Sequence, residues 1–386
     1  MAEDPLPAGS PLFPFSRFVH REIIVLIILC GAAIAGFVVT KAVASAAHAQ
    51  RLSDAATWYE RGEAALAEGR LDDALTALGR ARALDRDRDV HHLSFASALA
   101  QAGQIDAARQ VLLALRETHP ENPDVNLGLA ELAAASGASE DAVRFYQRAL
   151  YGEWTPARLD DRERVRISLI EYQLEHGMRG QAAAQLLMLA ADLPSDAARQ
   201  MQAARLFLAA GEPEQALEHY RRVLESEPDH AAALAGAGDA AFEIGDFAAA
   251  RGYYDRVPDG NEEVETRREL VRLVLANDPL QPRLSNAERR RRLARGQARA
   301  RALIQACRVH LAGTSAQEEQ LDALASELAA LGSVLRGRRP IESGVIADGV
   351  ALVSGVVSFA SEGCGPLTPD ARAWLLIGRL QREGRL

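Results

Sequence analysis

The sequence predicts an all-α chain: a solenoid of helical repeats, with an N-terminal transmembrane helix and a C-terminal helical extension. Three observations lead there. Hydrophobic residues make up 48% of the chain and aromatics only 5%, so alanine carries much of the apolar content. That favours helices, because strands draw on β-branched and aromatic side chains. A glycine followed five residues later by an alanine occurs at Gly69/Ala74, Gly103/Ala108, Gly137/Ala142, Gly177/Ala182, Gly211/Ala216 and Gly245/Ala250. Successive glycines lie 34, 34, 40, 34 and 34 residues apart, and a fixed period of this size marks a solenoid. Finally, residues 23–39, IIVLIILCGAAIAGFVV, are uncharged and apolar between Glu22 and Lys41.

Residues 1–22, with Pro5, Pro7, Pro11 and Pro14, read as a disordered tail. Residues 23–40 read as one transmembrane helix, which with snorkelling Arg21 and Lys41 just crosses a hydrocarbon core of about 30 Å. Ala47-His48-Ala49 fits a signal-peptide cleavage pattern. The apolar run exceeds a signal core, however, and the site lies about ten residues past it, so an uncleaved anchor is expected. Arg17 and Arg21 before the span nearly balance Lys41 and Arg51 after it. Both tail arginines lie close to the span, which puts the tail in the cytoplasm and the large domain outside it. Gly31…Ala35 and Ala32…Gly36 are small-xxx-small pairs that could pair two such helices into a homodimer; small residues in an alanine-rich chain are the plainer reading.

The repeats divide as 55–88, 89–122, 123–156, 163–196, 197–230 and 231–262. Their residues follow one pattern. The first holds Trp58, Gly62, Ala65, Ala74 and Leu78; the second Ala96, Leu99, Ala108, Leu112 and Pro120; the third Leu129, Ala130, Ala142 and Tyr146. The fourth holds Leu169, Ala182, Leu186 and Pro194; the fifth Ala204, Phe207, Ala216, Tyr220 and Pro228; the sixth Gly238, Ala241, Ala250 and Tyr254. This resembles the tetratricopeptide repeat, a 34-residue helix–turn–helix with W-x2-L-G-x2-Y, A-x3-F and a closing proline. The resemblance implies a right-handed α-solenoid whose concave surface, lined by the first helix of each repeat, holds peptides or partner proteins.

In each repeat, small residues are expected to let two backbones approach, with Gly62 facing Ala74. Leu78, Tyr146 and Tyr254 are expected to fill the space between repeats. Gly69 supplies a left-handed cap. Asp72 and Asp73 open the second helix, and Pro120, Pro194 and Pro228 end second helices. Ile170 departs from the small-residue rule and is expected to splay its hairpin. The six-residue insertion falls in Tyr151–Arg162, where Trp154 either offers a contact or, the preferred reading, packs on its neighbours.

Residues 263–386 read as a helical extension that caps the solenoid. Helices are expected over 264–277, from the capping box Ser285-Asn-Ala-Glu288 to about Leu311, from the box at Ser315 to about Leu335, over 346–360, and from Pro369 onward. The stretch 344–360 is apolar enough for a second membrane helix, but Asp348 favours a buried core helix. Trp374-x-x-Ile377-Gly378 again resembles a tetratricopeptide opening. Cys307 and Cys364 could form a disulfide in an oxidising compartment. Arg289, Arg290, Arg291 and Arg292 start the one basic run; they either contact an anion or, the preferred reading, form a solvated face paired with acids.

Chemistry is bounded by what is missing. Lys41 is the only lysine, which excludes P-loop, Schiff-base and S-x-x-K chemistry, and H-E-x-x-H and G-x-S-x-G do not occur. No catalytic residue, metal site or cofactor is expected. The net charge of −9 argues against nucleic-acid binding. The candidate binding residues on the concave face are Tyr59, Glu63, Ser97, Glu131, Glu171, Arg205 and Asp239. The lining turn is mostly acidic, so the expected partners are neutral or basic protein segments. The layout resembles single-span tetratricopeptide proteins of the bacterial inner membrane, and the expected work is a membrane-tethered scaffold for envelope protein assembly or quality control. The alternative is a regulatory or transfer enzyme with a site in residues 264–386.

Overall fold

The computed structural model describes residues 15–191, 193, 196–310, 315–337 and 339–384. They fall into two compact units that meet in sequence at Val165 and Arg166. Among them there are helices and turns and no strand.

The first unit contains three helical hairpins. They are α1 (Phe15–Ala67) with α2 (Leu71–Leu84), α3 (Asp89–Gln101) with α4 (Ile105–Thr118), and α5 (Pro123–Ala135) with α6 (Ser139–Leu150). α7 (Leu159–Glu175) leads into the second unit. There α8 (Arg179–Ala191), α9 (Ala197–Ala210), α10 (Pro213–Ser226), α11 (Ala231–Ile244) and α12 (Phe247–Tyr254) continue the repeats. α13 (Glu262–Asn277), α14 (Asn286–His310), α15 (Ser315–Arg336), α16 (Ser343–Gly363) and α17 (Pro369–Arg382) follow.

One turn recurs at all six glycines. Gly69, Gly103, Gly137, Gly177, Gly211 and Gly245 have φ between +72° and +89°, a backbone that side chains with a Cβ adopt only at a cost. The next residue then donates its N–H to a carbonyl five positions back. Arg70 reaches Ala65 at 2.9 Å, Gln104 reaches Leu99 at 2.8 Å, and Asp246 reaches Ala241 at 2.9 Å. This is the Schellman closure that satisfies the orphan carbonyls of a helix end.

The alanines five residues later, from Ala74 to Ala250, are all fully buried. Gly62 faces Leu78 rather than Ala74: a Cβ on Gly62 would lie 2.5 Å from the Leu78 Cγ. Gly62 is seven residues before the turn glycine, so its level across the hairpin falls beyond Ala74. Gly238 and Tyr254 repeat the contact, a Cβ there meeting the ring at 2.5 Å. The same large residue also meets the next repeat: Leu112 lies under Gly128 and Tyr220 under Gly236. At this repeat position the large side chain thus packs against a glycine of its own hairpin or of the next repeat's first helix. Ile170, at the position of Gly62, is fully buried in the core that also holds Ala182 and Leu186.

The insertion folds back on the chain. Trp154 is half-buried, its indole N–H donates to the Ala149 carbonyl at 2.9 Å, and Arg158 lies over its ring. Arg158 also grips Asp124 at the start of α5 with two bonds of 2.7 and 2.8 Å. Pro120 and Pro228 follow the ends of α4 and α10; Pro194 lies outside the described residues.

α1 differs from the expectation. It begins at Phe15, inside the segment read as a disordered tail, and runs unbroken through the apolar stretch into the first repeat. No helix breaker lies between Phe15 and Ala67 except Gly31, Gly36 and Gly62, and isolated glycines do not end a helix. Residues 1–14 lie outside the described residues.

In the second unit one apolar core runs from Ile170 to Leu380. α16 is its central strut: Ile346, Val350, Val353, Val357 and Ala360 are buried, against α14 and α17. Trp374 is buried beside Gly296 of α14. A disulfide joins Cys307 to Cys364, tying the later part of α14 to the end of α16.

Gly238→Ala is expected to lower stability by about 1–3 kcal/mol through overpacking against Tyr254. Gly252→Ala, with open space around its Cβ position, should be neutral or stabilise by up to about 1 kcal/mol; urea denaturation compares them. His219 is buried, with Nδ1 2.7 Å from Gln200 Oε1 and its ring stacked on Phe207. Burial, then Arg222, lowers its pKa. A lowered folded pKa means stability is complete above the ordinary value of about 6.5 and is lost as pH falls from there through the folded value. The urea midpoint should therefore drop between pH 7.5 and 5, and less steeply in His219→Gln.

Candidate functional site

In the first unit, α3 and α5 stand side by side and leave a cleft of about 580 Å³. Leu93, Ala96, Ser97, Ala100 and Gln101 of α3 form one wall, and Leu127, Gly128, Glu131 and Ala135 of α5 the other, with Ile105 and Leu112 of α4 beneath. The floor follows from the packing rule: Leu112 sits in the notch left by Gly128, where a Cβ would come within 2.8 Å. Leu93 and Leu127 are one repeat apart, in register with Tyr59 of α1.

Ser97 and Glu131, both expected on the concave face, meet in this cleft. Ser97 Oγ accepts from Gln101 Nε2 at 3.4 Å. Loss of water raises the pKa of Glu131, as expected for a carboxyl against an apolar wall. Asp124, also on the lining, is already paired with Arg158. Glu131 has no ion pair among the described residues.

Tyr59 and Glu63 stand on α1, beside α3. The Tyr59 hydroxyl accepts from Ser94 Oγ at 3.4 Å and its ring lies 5.2 Å from that of His91. Glu63 is half-buried, and its Oε1 meets no donor among the described residues.

Of the remaining candidates, all in the second unit, Asp239 lines a cleft. It accepts a 2.6 Å bond from the Tyr254 hydroxyl and faces Arg267 Nε at 3.4 Å. Burial raises its pKa, against the opposing pull of Tyr254 and Arg267. The cleft, about 360 Å³, is also lined by Arg179, Glu243 and Arg267. Glu171 and Arg205 are exposed on their helices and line neither cleft.

The arginine run is engaged in the fold. Arg289 donates to the carbonyls of Pro279, Gln281 and Leu284. Arg290 reaches those of Leu335 and Arg339, and Arg291 pairs with Glu288. Arg292 holds Glu288 and the carbonyls of Leu275 and Asp278. These carbonyls include the last of α13 and α15, which lack partners within their own helices. Polyarginine sequence alone could not reveal that the acceptors are main-chain oxygens. The apolar cleft was also missed, although Tyr59, Leu93 and Leu127 recurring on the groove helices was a usable signal. Among the described residues no three of His, Cys, Asp or Glu gather as metal ligands do.

Family models of the tetratricopeptide repeat match residues 65–119, 93–157 and 201–263. The chain carries tetratricopeptide repeats. Several solved structures match part of the chain. PilW, described as a widely conserved type IV pilus biogenesis factor, is 16% identical, with 55% of this chain and 97% of PilW covered at a TM-score of 0.40. A tetratricopeptide protein from Parabacteroides merdae is 12% identical, with 63% and 92% covered and a TM-score of 0.39. YrrB, described as having an unusual peptide-binding site, is 19% identical, with 50% and 95% covered and a TM-score of 0.34. No curated protein matches the chain.

Outside the matched repeats, Arg292 carries structural weight: its side chain is 13% exposed. Arg292→Gln should destabilise the second unit by about 1–3 kcal/mol, since charged donors to carbonyls are worth that much. A thermal melt lowered by several degrees is expected; an unchanged melt contradicts the assignment.

Proposed function

We propose that the chain is a membrane-tethered scaffold whose α3–α5 cleft holds apolar segments of partner proteins, flanked by neutral or basic residues. The observation that carries this reading is the cleft itself, apolar on both walls with the unpaired carboxyl of Glu131 at its edge. An apolar segment would leave water, and a flanking Arg or Lys would meet Glu131. α1, with a stretch of mean hydropathy 2.9 and no residue of it buried, is the anchor. The Cys307–Cys364 disulfide supports an extracytoplasmic large domain, because such bonds persist in oxidising compartments. Envelope protein assembly or quality control fits that location. The extension shares one apolar core with repeats of the second unit, which favours the scaffold over a separate catalytic domain.

Peptide arrays test the cleft. Apolar peptides with Arg or Lys flanks should bind best; a preference for acidic C-termini contradicts the reading. Ala100→Arg, which fills the cleft from a half-buried position on α3, should weaken binding at least about tenfold, a loss of about 1.4 kcal/mol. Glu131→Gln should remove the preference for basic flanks while leaving apolar peptides bound. Maleimide labelling of the protein in intact cells tests location: Cys307 and Cys364 should react only after reduction.

A further inference from the structure

α1 does not stop where its apolar stretch ends. Every residue from Glu22 to Asp54 is exposed, and Ala55 is the first buried one. Past Thr40, residues 41–54 are therefore a bare helical stalk, about 21 Å long at 1.5 Å per residue. The stalk contains no proline or glycine, the usual sources of a kink. The same helix then enters the first repeat, where Tyr59 joins it to α3. The cleft belongs to the same compact unit as α1. It lies at the level of Tyr59 to Ala67, about 30–40 Å along the helix from Thr40.

We infer that the stalk holds the cleft at a fixed height above the bilayer, where it takes the juxtamembrane segment of a second membrane-anchored protein. The segment is apolar, is flanked by Arg or Lys, and emerges from the same face with enough chain to span about 30 Å. This rests on the membrane-tethered cleft proposed above. Glu131 supplies the charge complement. A rigid stalk favours a partner fixed in the same plane, since tethering raises effective concentration only when the linker can span the sites. Segments lying within the first 20 Å of the surface pass below the cleft beside the bare stalk.

The experiment uses full-length protein in vesicles and a fluorescent peptide of Leu, Ala and Arg, offered free or linked to a lipid by Gly-Ser spacers of four, eight or thirty residues. The two shorter spacers reach at most about 14 and 28 Å; the longest has a root-mean-square span of about 30 Å. The thirty-residue probe should bind at least about tenfold tighter than free peptide, and the four- and eight-residue probes no tighter. Deleting Ala42–Leu52, about three helical turns, preserves the facing of the cleft and lowers it by about 16 Å. The eight-residue probe should then gain the same enhancement. Binding of free peptide with no dependence on spacer length, or an eight-residue probe that binds wild-type protein as tightly as the longest, overturns the fixed height and leaves the cleft reading standing. No binding by any probe, free or linked, overturns both.

Discussion

The structure depends on how closely two helix backbones can approach. Gly62 against Leu78 and Gly238 against Tyr254 show the constraint in its barest form, because a Cβ on either glycine would come within 2.5 Å of its large partner. The large residue at this repeat position fills space within its own hairpin, as Leu78 and Tyr254 do, and under the first helix of the next, as Leu112 and Tyr220 do. One residue type per hairpin thus sets both the hairpin spacing and the stacking of repeats. The glycine turn then only has to reverse the chain, and it does so with the same main-chain closure each time.

The cleft is a by-product of that constraint. A Cβ at Gly128 would come within 2.8 Å of Leu112 Cδ1 at the floor of the cleft. Stacking turns one face of each first helix toward solvent, so Leu93 and Leu127 line an open cleft among the described residues of the first unit. The second unit solves a different problem. Its helix ends are close together and short of donors, and arginines from α14 supply them, while Asn286 brackets Ile341 with bonds in both directions of 2.7 and 3.0 Å.

Much of this was legible because repetition multiplies a weak signal. One glycine before an alanine means little; six, at a 34-residue spacing broken once by a six-residue insertion, located the turns of the six repeat hairpins, and the helices of residues 263–386 followed from caps and breakers such as Ser285, whose hydroxyl does accept from the Glu288 N–H at 3.2 Å. What faces what was harder. Pairing Gly62 with Ala74 assumed that the two most conspicuous small residues meet, whereas antiparallel geometry puts Leu78 at the level of Gly62. The site was half legible: Ser97 and Glu131 could be placed on the groove helix by register, but a cleft is made by neighbours from three helices, and depth is not written in any one of them. The arginines misled for a related reason, since main-chain carbonyls leave no mark in a sequence.

The central claim is that a small residue on the first helix and the large residue opposite it form one energetic unit. A double-mutant cycle on Gly62→Ala and Leu78→Ala, followed by urea denaturation, tests it most directly. Removing the leucine side chain makes room for the new methyl group, so the double variant should be less destabilised than the two single losses combined, by about 1 kcal/mol or more. Losses that add to within about 0.5 kcal/mol would mean that the two residues do not compete for one space, and the account of the hairpins would be wrong.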